Sequence, residues 1–339
     1  MEHLSLIEGD GQSQIVDNYL TTLPKVRTED VYGNGVPNVA VNWTTLTGGG
    51  SPDDNSVISD SSGFAAVNFK LGTSSGINTF KAENLELPGT PKTIIFSATG
   101  LADNPTEMNL TGPTSVTAGE CAGPYTSQLI DQHGNNAQTG TNLSINLSGK
   151  SNGNFFSDSS CSGGNEISSI VINSGTSSSN YYYKNTTAEV VNLNIDDGNS
   201  LVDDTFSVSI IADIPNQISL TGPSVILTGS CTSQYTITIV DQYGNNSPVG
   251  VNTVINLTGE GNGDFFSDSS CSLGNNISSI TVNSSTSSSA FYYKNPIAES
   301  LTFNADDTGG LTADQINVCL LYTSPSPRDV EEPRMPSSA

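Results

Sequence analysis

The sequence predicts an all-β chain built as three tandem immunoglobulin-like β-sandwiches in an elongated array. Two observations carry this expectation. Apolar residues alternate with polar ones in short runs, and no stretch sustains the i, i+3, i+4, i+7 apolar spacing of a helix. The chain also matches itself at an offset of 110 residues: Cys121 and Cys161 reappear as Cys231 and Cys271, and Leu110 of "LTGP" as Leu220. The octapeptide "FFSDSSCS" occurs at 155–162 and again at 265–272. A period of that length is too long for one turn of a solenoid and matches a whole domain with its own core.

The alternating runs locate strands. In the first hundred residues they are Val39/Val41/Trp43 and Val67/Phe69/Leu71. In the first copy of the repeat they are Leu143/Ile145/Leu147, Ile170/Ile172, Val191/Leu193/Ile195 and Phe206/Val208/Ile210. Each run gives a strand with one face buried, and Gly- and Asn-rich turns separate the runs at short intervals. About seven strands per hundred residues suits a sandwich of the immunoglobulin-like kind. Trp43 is then a core residue. The expected domains are 1–100, truncated at its N-terminus; 107–213 and 217–318, each with one disulfide and the second truncated at its C-terminus; and a disordered tail, 319–339.

A turn of the form Asp-x-x-Gly-Asn links all three domains: Asp30, Gly33 and Asn34; Asp131, Gly134 and Asn135; Asp241, Gly244 and Asn245. Aspartate caps such a turn through nearby backbone N–H groups, and glycine takes positive φ at little cost. Its chemistry is therefore that of a turn, not of a ligand site.

Four cysteines fall in pairs 40 residues apart, Cys121 with Cys161 and Cys231 with Cys271. Metal sites use close pairs, and a reactive thiol needs basic neighbours that these positions lack. Each pair is expected to be a disulfide, which implies an oxidising compartment and export. The N-terminus "MEHLSLIEGDGQ" has neither the basic nor the apolar region of a signal peptide, and no apolar run is long enough to span a bilayer.

The net charge is −24, with 10 Lys+Arg against 34 Asp+Glu, which excludes nucleic acid and anionic membrane surfaces as partners. Calcium is the one cofactor to consider. Asp196, Asp197 and Asp204 recur as Asp306, Asp307 and Asp314, and hard oxygen ligands on a loop suit that ion. The spacing fits neither an EF-hand nor a glycine-rich β-roll, and Asp-Asp-Gly is also an ordinary solvated turn. Asp103 and Asp213 lie in the expected linkers. Catalysis has little support. His3 is at the terminus, and His133 stands where the sister repeat has Tyr243. In "NYYYKN" and "AFYYKN", alternation assigns Tyr181/Tyr183 and Phe291/Tyr293 to the core. Tyr182 and Tyr292 are left for a sugar or a neighbouring domain.

The segments "GDGQ" (9–12), "EDVYGNGVPNVAVNW" (29–43), "ISDSSGFAAVNFKLG" (58–72) and "GINTFKA" (76–82) resemble the bacterial immunoglobulin-like repeats of invasin and intimin type, over roughly residues 4–99. The later domains look like divergent members of the same class, although their cysteine pair departs from the first domain's pattern. The resemblance implies non-catalytic stalk modules of a bacterial surface adhesin, with neighbouring repeats as partners and a host or environmental protein or glycan met by a separate tip. The alternative is an accessory or carbohydrate-binding module of a secreted enzyme. The tail from Cys319 resembles an in-frame translation of a transposase-type sequencing adapter, which would make the fifth cysteine foreign to the repeat and its "CLLY" an incidental extension of the last strand.

Overall fold

The computed structural model describes residues 2–322 and contains no helix among them. Its strands fall into three successive groups, each built on two main sheets, with a further two-stranded sheet of Ser51–Pro52 and Phe69–Lys70 in the first, and the protein is a series of three immunoglobulin-like sandwiches. The residues of the tail beyond Tyr322 lie outside the described part of the chain.

The second sandwich illustrates the plan. One sheet has the order Glu107–Thr111, Ala122–Ile130, Ser178–Lys184, Asn154–Phe156, Glu166–Ile167. The other has the order Ser115–Thr117, Asp204–Ile211, Val190–Asp196, Leu143–Ser148, Ser169–Ile172. The third sandwich repeats both orders with Gln217–Thr221 to Asp314–Leu321. Strand pairing is antiparallel except at one edge, where Ser115–Thr117 runs parallel to Asp204–Ile211 and Val225–Leu227 parallel to Asp314–Leu321; single parallel bridges also join Glu107 to Val202 and Gln217 to Thr312. Each sandwich has ten strands against the expected seven, partly because its first strand is divided between the two sheets, as are the short neighbours Glu166–Ile167 and Ser169–Ile172 in the second sandwich. In the repeats the break falls at the "GP" of "LTGP", where proline cannot donate to a ladder.

Alternation places the core as expected. Leu143–Ser148 buries Ile145 and Leu147, and Val190–Asp196 buries Val191, Leu193 and Ile195. In the first sandwich Trp43 is 2 % exposed and lies 5.5 Å from the Phe96 ring, which stacks on Phe80 at 5.2 Å. Burying each such ring contributes about 1.5–3 kcal/mol. Tyr181, Tyr183, Phe291 and Tyr293 are all fully buried, while Tyr182 and Tyr292 are half-buried. The last strand runs through Cys319 and Leu320 to Leu321, with Leu320 in the core and Cys319 a free thiol.

The chain divides into two compact units. One holds the residues up to Pro113 with Cys121–Tyr183 and Val191–Val208; the other holds Thr114–Glu120, Lys184–Val190 and the described residues from Ser209. Each unit therefore contains contacts between parts of two successive sandwiches.

Candidate functional site

Cys121 is joined to Cys161 and Cys231 to Cys271, each bridge spanning 40 residues with Cα atoms 5.6 Å apart. The repeated octapeptide builds the second half of each bridge. Phe155 and Phe265 enter the core, and the next turn is capped by Asp158 or Asp268, whose carboxylate accepts the N–H groups of Ser160 and Ser162 or of Ser270 and Ser272. That cap holds Cys161 and Cys271 at φ 47° and 48°, a left-handed conformation rare outside glycine. Hydrogen bonding, first from the Ser160 hydroxyl, lowers the Asp158 carboxyl to about 2.

The Asp-x-x-Gly-Asn turns have the expected internal chemistry. Asp131 Oδ1 accepts the N–H of His133 and of Asn135, both at 2.9 Å, and Asp241 Oδ1 accepts those of Tyr243 and Asn245 at 2.8 and 2.9 Å. Gly134 and Gly244 take φ 81° and 86°. Two further contacts were not anticipated from the sequence. Asp131 Oδ2 accepts the Asp103 N–H at 3.0 Å, and Asp241 Oδ2 accepts the Asp213 N–H at 2.9 Å, so each buried carboxylate ties its turn to the linker before it.

The asparagine reaches further. Within the first unit, Asn135 Nδ2 donates to the Thr73 carbonyl at 2.8 Å, and the Ser75 N–H donates to Asn135 Oδ1 at 2.7 Å. Within the second unit, Asn245 Nδ2 donates to the Thr186 carbonyl at 2.8 Å, and the Ala188 N–H donates to Asn245 Oδ1 at 2.8 Å. In both joints one side-chain amide satisfies a carbonyl and the N–H two residues later on a loop of the preceding sandwich. The earlier reading of these motifs as turn chemistry alone is incomplete. Asp103 and Asp213 each stand 28 residues before the turn aspartate, but a gapless 110-residue repeat preserves every such separation, so nothing in the sequence singles this contact out.

Burial alone would push the Asp131 and Asp241 carboxyls up, but the hydrogen bonds from the turn asparagine and the linker outweigh it and leave both below the ordinary value. A carboxyl lowered in the folded state contributes stability above its unfolded pKa, and that contribution is lost as pH falls through the folded one.

The six recurring aspartates separate by role. Asp204 Oδ2 accepts the Leu110 N–H at 2.7 Å and Asp314 Oδ2 the Leu220 N–H at 2.8 Å, fastening the last strand to the first. Asp307 Oδ1 accepts N–H groups of Gly309, Gly310 and Leu311, and Asp306 Oδ1 that of Thr308. Asp196 and Asp197 cap the equivalent turn through Gly198 and Asn199. Among the described residues, Asp196 and Asp197 come together with Asp203, not with Asp204, in one carboxylate cluster within 4.8 Å. Burial first, then the charges of Asp196 and Asp197, raise the Asp203 carboxyl. The third sandwich has Ala313 at that position. His3 lies 3.9 Å from Glu29, and His133 sits on its turn beside the first joint. The exposed tyrosines among the described residues are Tyr19, Tyr32, Tyr243 and Tyr322, none of them on the two aromatic strands.

No protein-family model and no curated protein matches the chain. Among solved structures it is similar to the Escherichia coli adhesin FdeC, with 14 % identity, 94 % of this chain and 96 % of that one covered, and a TM-score of 0.44. It is similar to invasin, a bacterial integrin-binding protein, at 16 % identity over 95 % of this chain and 60 % of that one, with a TM-score of 0.38. It is also similar to the human desmocollin-1 ectodomain, at 9 % identity over 96 % of this chain and 60 % of that one, with a TM-score of 0.40. Likenesses this distant assign neither a family nor a partner.

Proposed function

We propose that the chain is a run of non-catalytic structural modules from a bacterial surface adhesin, a stalk that sets the distance between the cell and an adhesive tip. The observation that carries this reading is the repetition of one joint: an asparagine amide seated on the preceding sandwich's loop, with an aspartate holding the linker, at two successive junctions. A chain that only needed to keep its domains soluble has no use for matched joints, whereas a spacer needs the same angle at each step. The disulfides suit an exported protein, and the sequence resemblance of residues 4–99 to invasin- and intimin-type repeats supplies the cell-surface setting. A host or environmental protein or glycan would then be met by a tip domain.

The alternative, an accessory carbohydrate-binding module, calls for an exposed aromatic platform. Here the aromatic strands turn their Tyr181/Tyr183 and Phe291/Tyr293 faces into the core. Small-angle scattering of the wild-type chain and of Asn135→Ala/Asn245→Ala tests the spacer reading. The double variant is expected to give a broader distribution of intramolecular distances, with the thermal transition seen by Trp43 unchanged. Identical scattering would mean that the joints do not set the spacing.

A further inference from the structure

The turn Asp30–Asn34 has the construction of the two turns that form joints. Asp30 Oδ1 accepts the Tyr32 and Asn34 N–H groups at 2.8 and 2.9 Å, and Asn34 Nδ2 donates to Asp30 Oδ2 at 3.0 Å. Its outward side differs. Asn34 is exposed, whereas Asn135 and Asn245 are half-buried. Tyr32 is 86 % exposed, whereas Tyr243, at the same place in its turn, is 42 % exposed. Tyr243 is covered by Gly119: a methyl placed on that glycine would stand 2.0 Å from the tyrosine hydroxyl oxygen.

The third sandwich carries the counterpart of this receiving face. Gly229 repeats Gly119 in conformation, φ 80° against 84°, and in its N–H bond, to the Asn295 carbonyl as Gly119 bonds to that of Asn185, both at 2.8 Å. A methyl on Gly229 would meet nothing within 4 Å among the described residues. Ile297 N–H donates to Asn295 Oδ1 as Thr187 N–H does to Asn185 Oδ1, both at 2.8 Å, so the loop that presents Pro296 and Ala298 is shaped like the one that presents Thr186 and Ala188. Among the described residues nothing bonds the Pro296 carbonyl or the Ala298 N–H.

The two formed joints are not identical. At the first, Asp17 replaces the glycine: it has φ 60°, and its N–H donates to the Gly72 carbonyl at 3.0 Å, as Gly119's does to Asn185's. The turn of this joint carries His133 where that of the second carries Tyr243. The Asp17 carboxyl is lowered chiefly by its hydrogen bond with Lys70, with the charge of His133 adding to the effect. At the first joint histidine and aspartate hold the places that tyrosine and glycine hold at the second. The exposed turn carries tyrosine, and the open receiving face carries glycine.

We propose that the Asp30–Asn34 turn docks a further sandwich of this type, one with glycine at the Gly119 position of its receiving face, and that Gly229 with the Pro296 carbonyl and Ala298 N–H is such a face. One ring and two hydrogen bonds fall well short of the roughly 1,000 Å² that a stable contact between separate molecules buries. The partner is therefore in covalent series, where linkage supplies an effective concentration of about millimolar. This inference stands whether or not the array serves as a spacer.

The test is a tandem duplicate: residues 3–321, the linker Ala-Asp-Ile-Pro-Asn of residues 212–216, and residues 3–321 again. Amide exchange by NMR then gives two Ala298 signals, one facing the second copy's Asn34 and one facing nothing. The first is expected to exchange about tenfold more slowly than the second, in the manner of Ala188, as one added hydrogen bond of about 1.4 kcal/mol requires. Asn34→Ala in the second copy should remove the difference. Gly229→Asp in the first copy, whose side chain would stand where the Tyr32 ring packs, should remove it too. Exchange at Phe303 checks that the third sandwich stays folded. Equal rates at both Ala298 positions, or protection that survives Asn34→Ala, would overturn the proposal. Protection in the single chain that grows with protein concentration would overturn its covalent-series part.

Discussion

Tyr181 and Phe291 occupy the same place in sister repeats, and the difference between them is one hydroxyl. Tyr181 stacks on Tyr125 at 5.7 Å and meets the Phe155 edge at 5.4 Å; Phe291 stacks on Tyr235 at 5.3 Å and meets the Phe265 edge at 5.4 Å. The packing is conserved between the two, but the Tyr181 hydroxyl is buried and has no partner among the described residues. Burial also drives its pKa above the ordinary tyrosine value. An orphaned buried hydroxyl costs about 1–3 kcal/mol, and removing it leaves the ring contacts intact. Tyr181→Phe is therefore expected to stabilise the second sandwich by about 1 kcal/mol, read as a higher urea midpoint with an unchanged m-value. Tyr183→Phe is the opposite case, because that hydroxyl donates to the Lys150 carbonyl at 2.7 Å. It should lower the midpoint. If Tyr181→Phe also lowered it, the hydroxyl would have a partner after all, and the buried site would have to admit water.

At the scale of the element, the strands were legible in the sequence and the uses of their turns were not. Alternation marks Leu143–Ser148 and Val190–Asp196 directly because a strand shows its buried face at every second residue. The same pattern is silent on where a loop side chain aims. Asp204 and Asp314 recurred as if they were ligands, yet each holds a backbone N–H of the first strand. Asp203, which does join the carboxylate cluster, gave no signal because its sister is Ala313. Asn135 and Asn245 looked like turn residues because their bonds to Asp131 and Asp241 are local, while their bonds to the preceding sandwich cross 62 and 59 residues. The joint can be probed through its glycine. Gly119→Ala and Gly229→Ala both place a side chain at φ near 80° and should share that cost of about 1–2 kcal/mol. Only at 119 does the new methyl collide with Tyr243. Exchange at the Ala188 N–H, which Asn245 receives, should therefore quicken in Gly119→Ala and stay unchanged in Gly229→Ala. Equal effects would mean that Tyr243 can leave Gly119 without loosening the asparagine.

Over the whole molecule, the three sandwiches share a fold but are held together by different means. The first has no cysteine, and the ion pairs among the described residues all fall in it, including Lys70 with Asp17 at 2.7 Å and Lys81 with Glu83 at 2.6 Å. Residues 107–213 carry 11 Asp+Glu against 2 Lys+Arg, and residues 217–318 carry 8 against 1. With so few cations available for pairing, each of these sandwiches instead closes a 40-residue loop with a disulfide. The chain-entropy model values such a crosslink at about 4 kcal/mol, a large part of the ~5–15 kcal/mol that holds a typical domain folded. Both pairings were readable from the spacing of the cysteines. The contrast with the first sandwich was not, because ion pairs depend on which side chains the sheets bring to one face. Trp43 is the only tryptophan and lies in the first core, so its fluorescence reports that sandwich alone, while circular dichroism reports all three. Reduction with dithiothreitol should leave the Trp43 transition in place and move the remaining dichroism transition to lower temperature. Raising salt should then raise the second and third sandwiches relative to the first, since screening relieves their uncompensated acidic charge while weakening the first sandwich's surface pairs. A Trp43 transition that moved together with the others on reduction would mean that the first sandwich draws its stability from its neighbour through the Asn135 joint, and the three would then have to be treated as one cooperative unit.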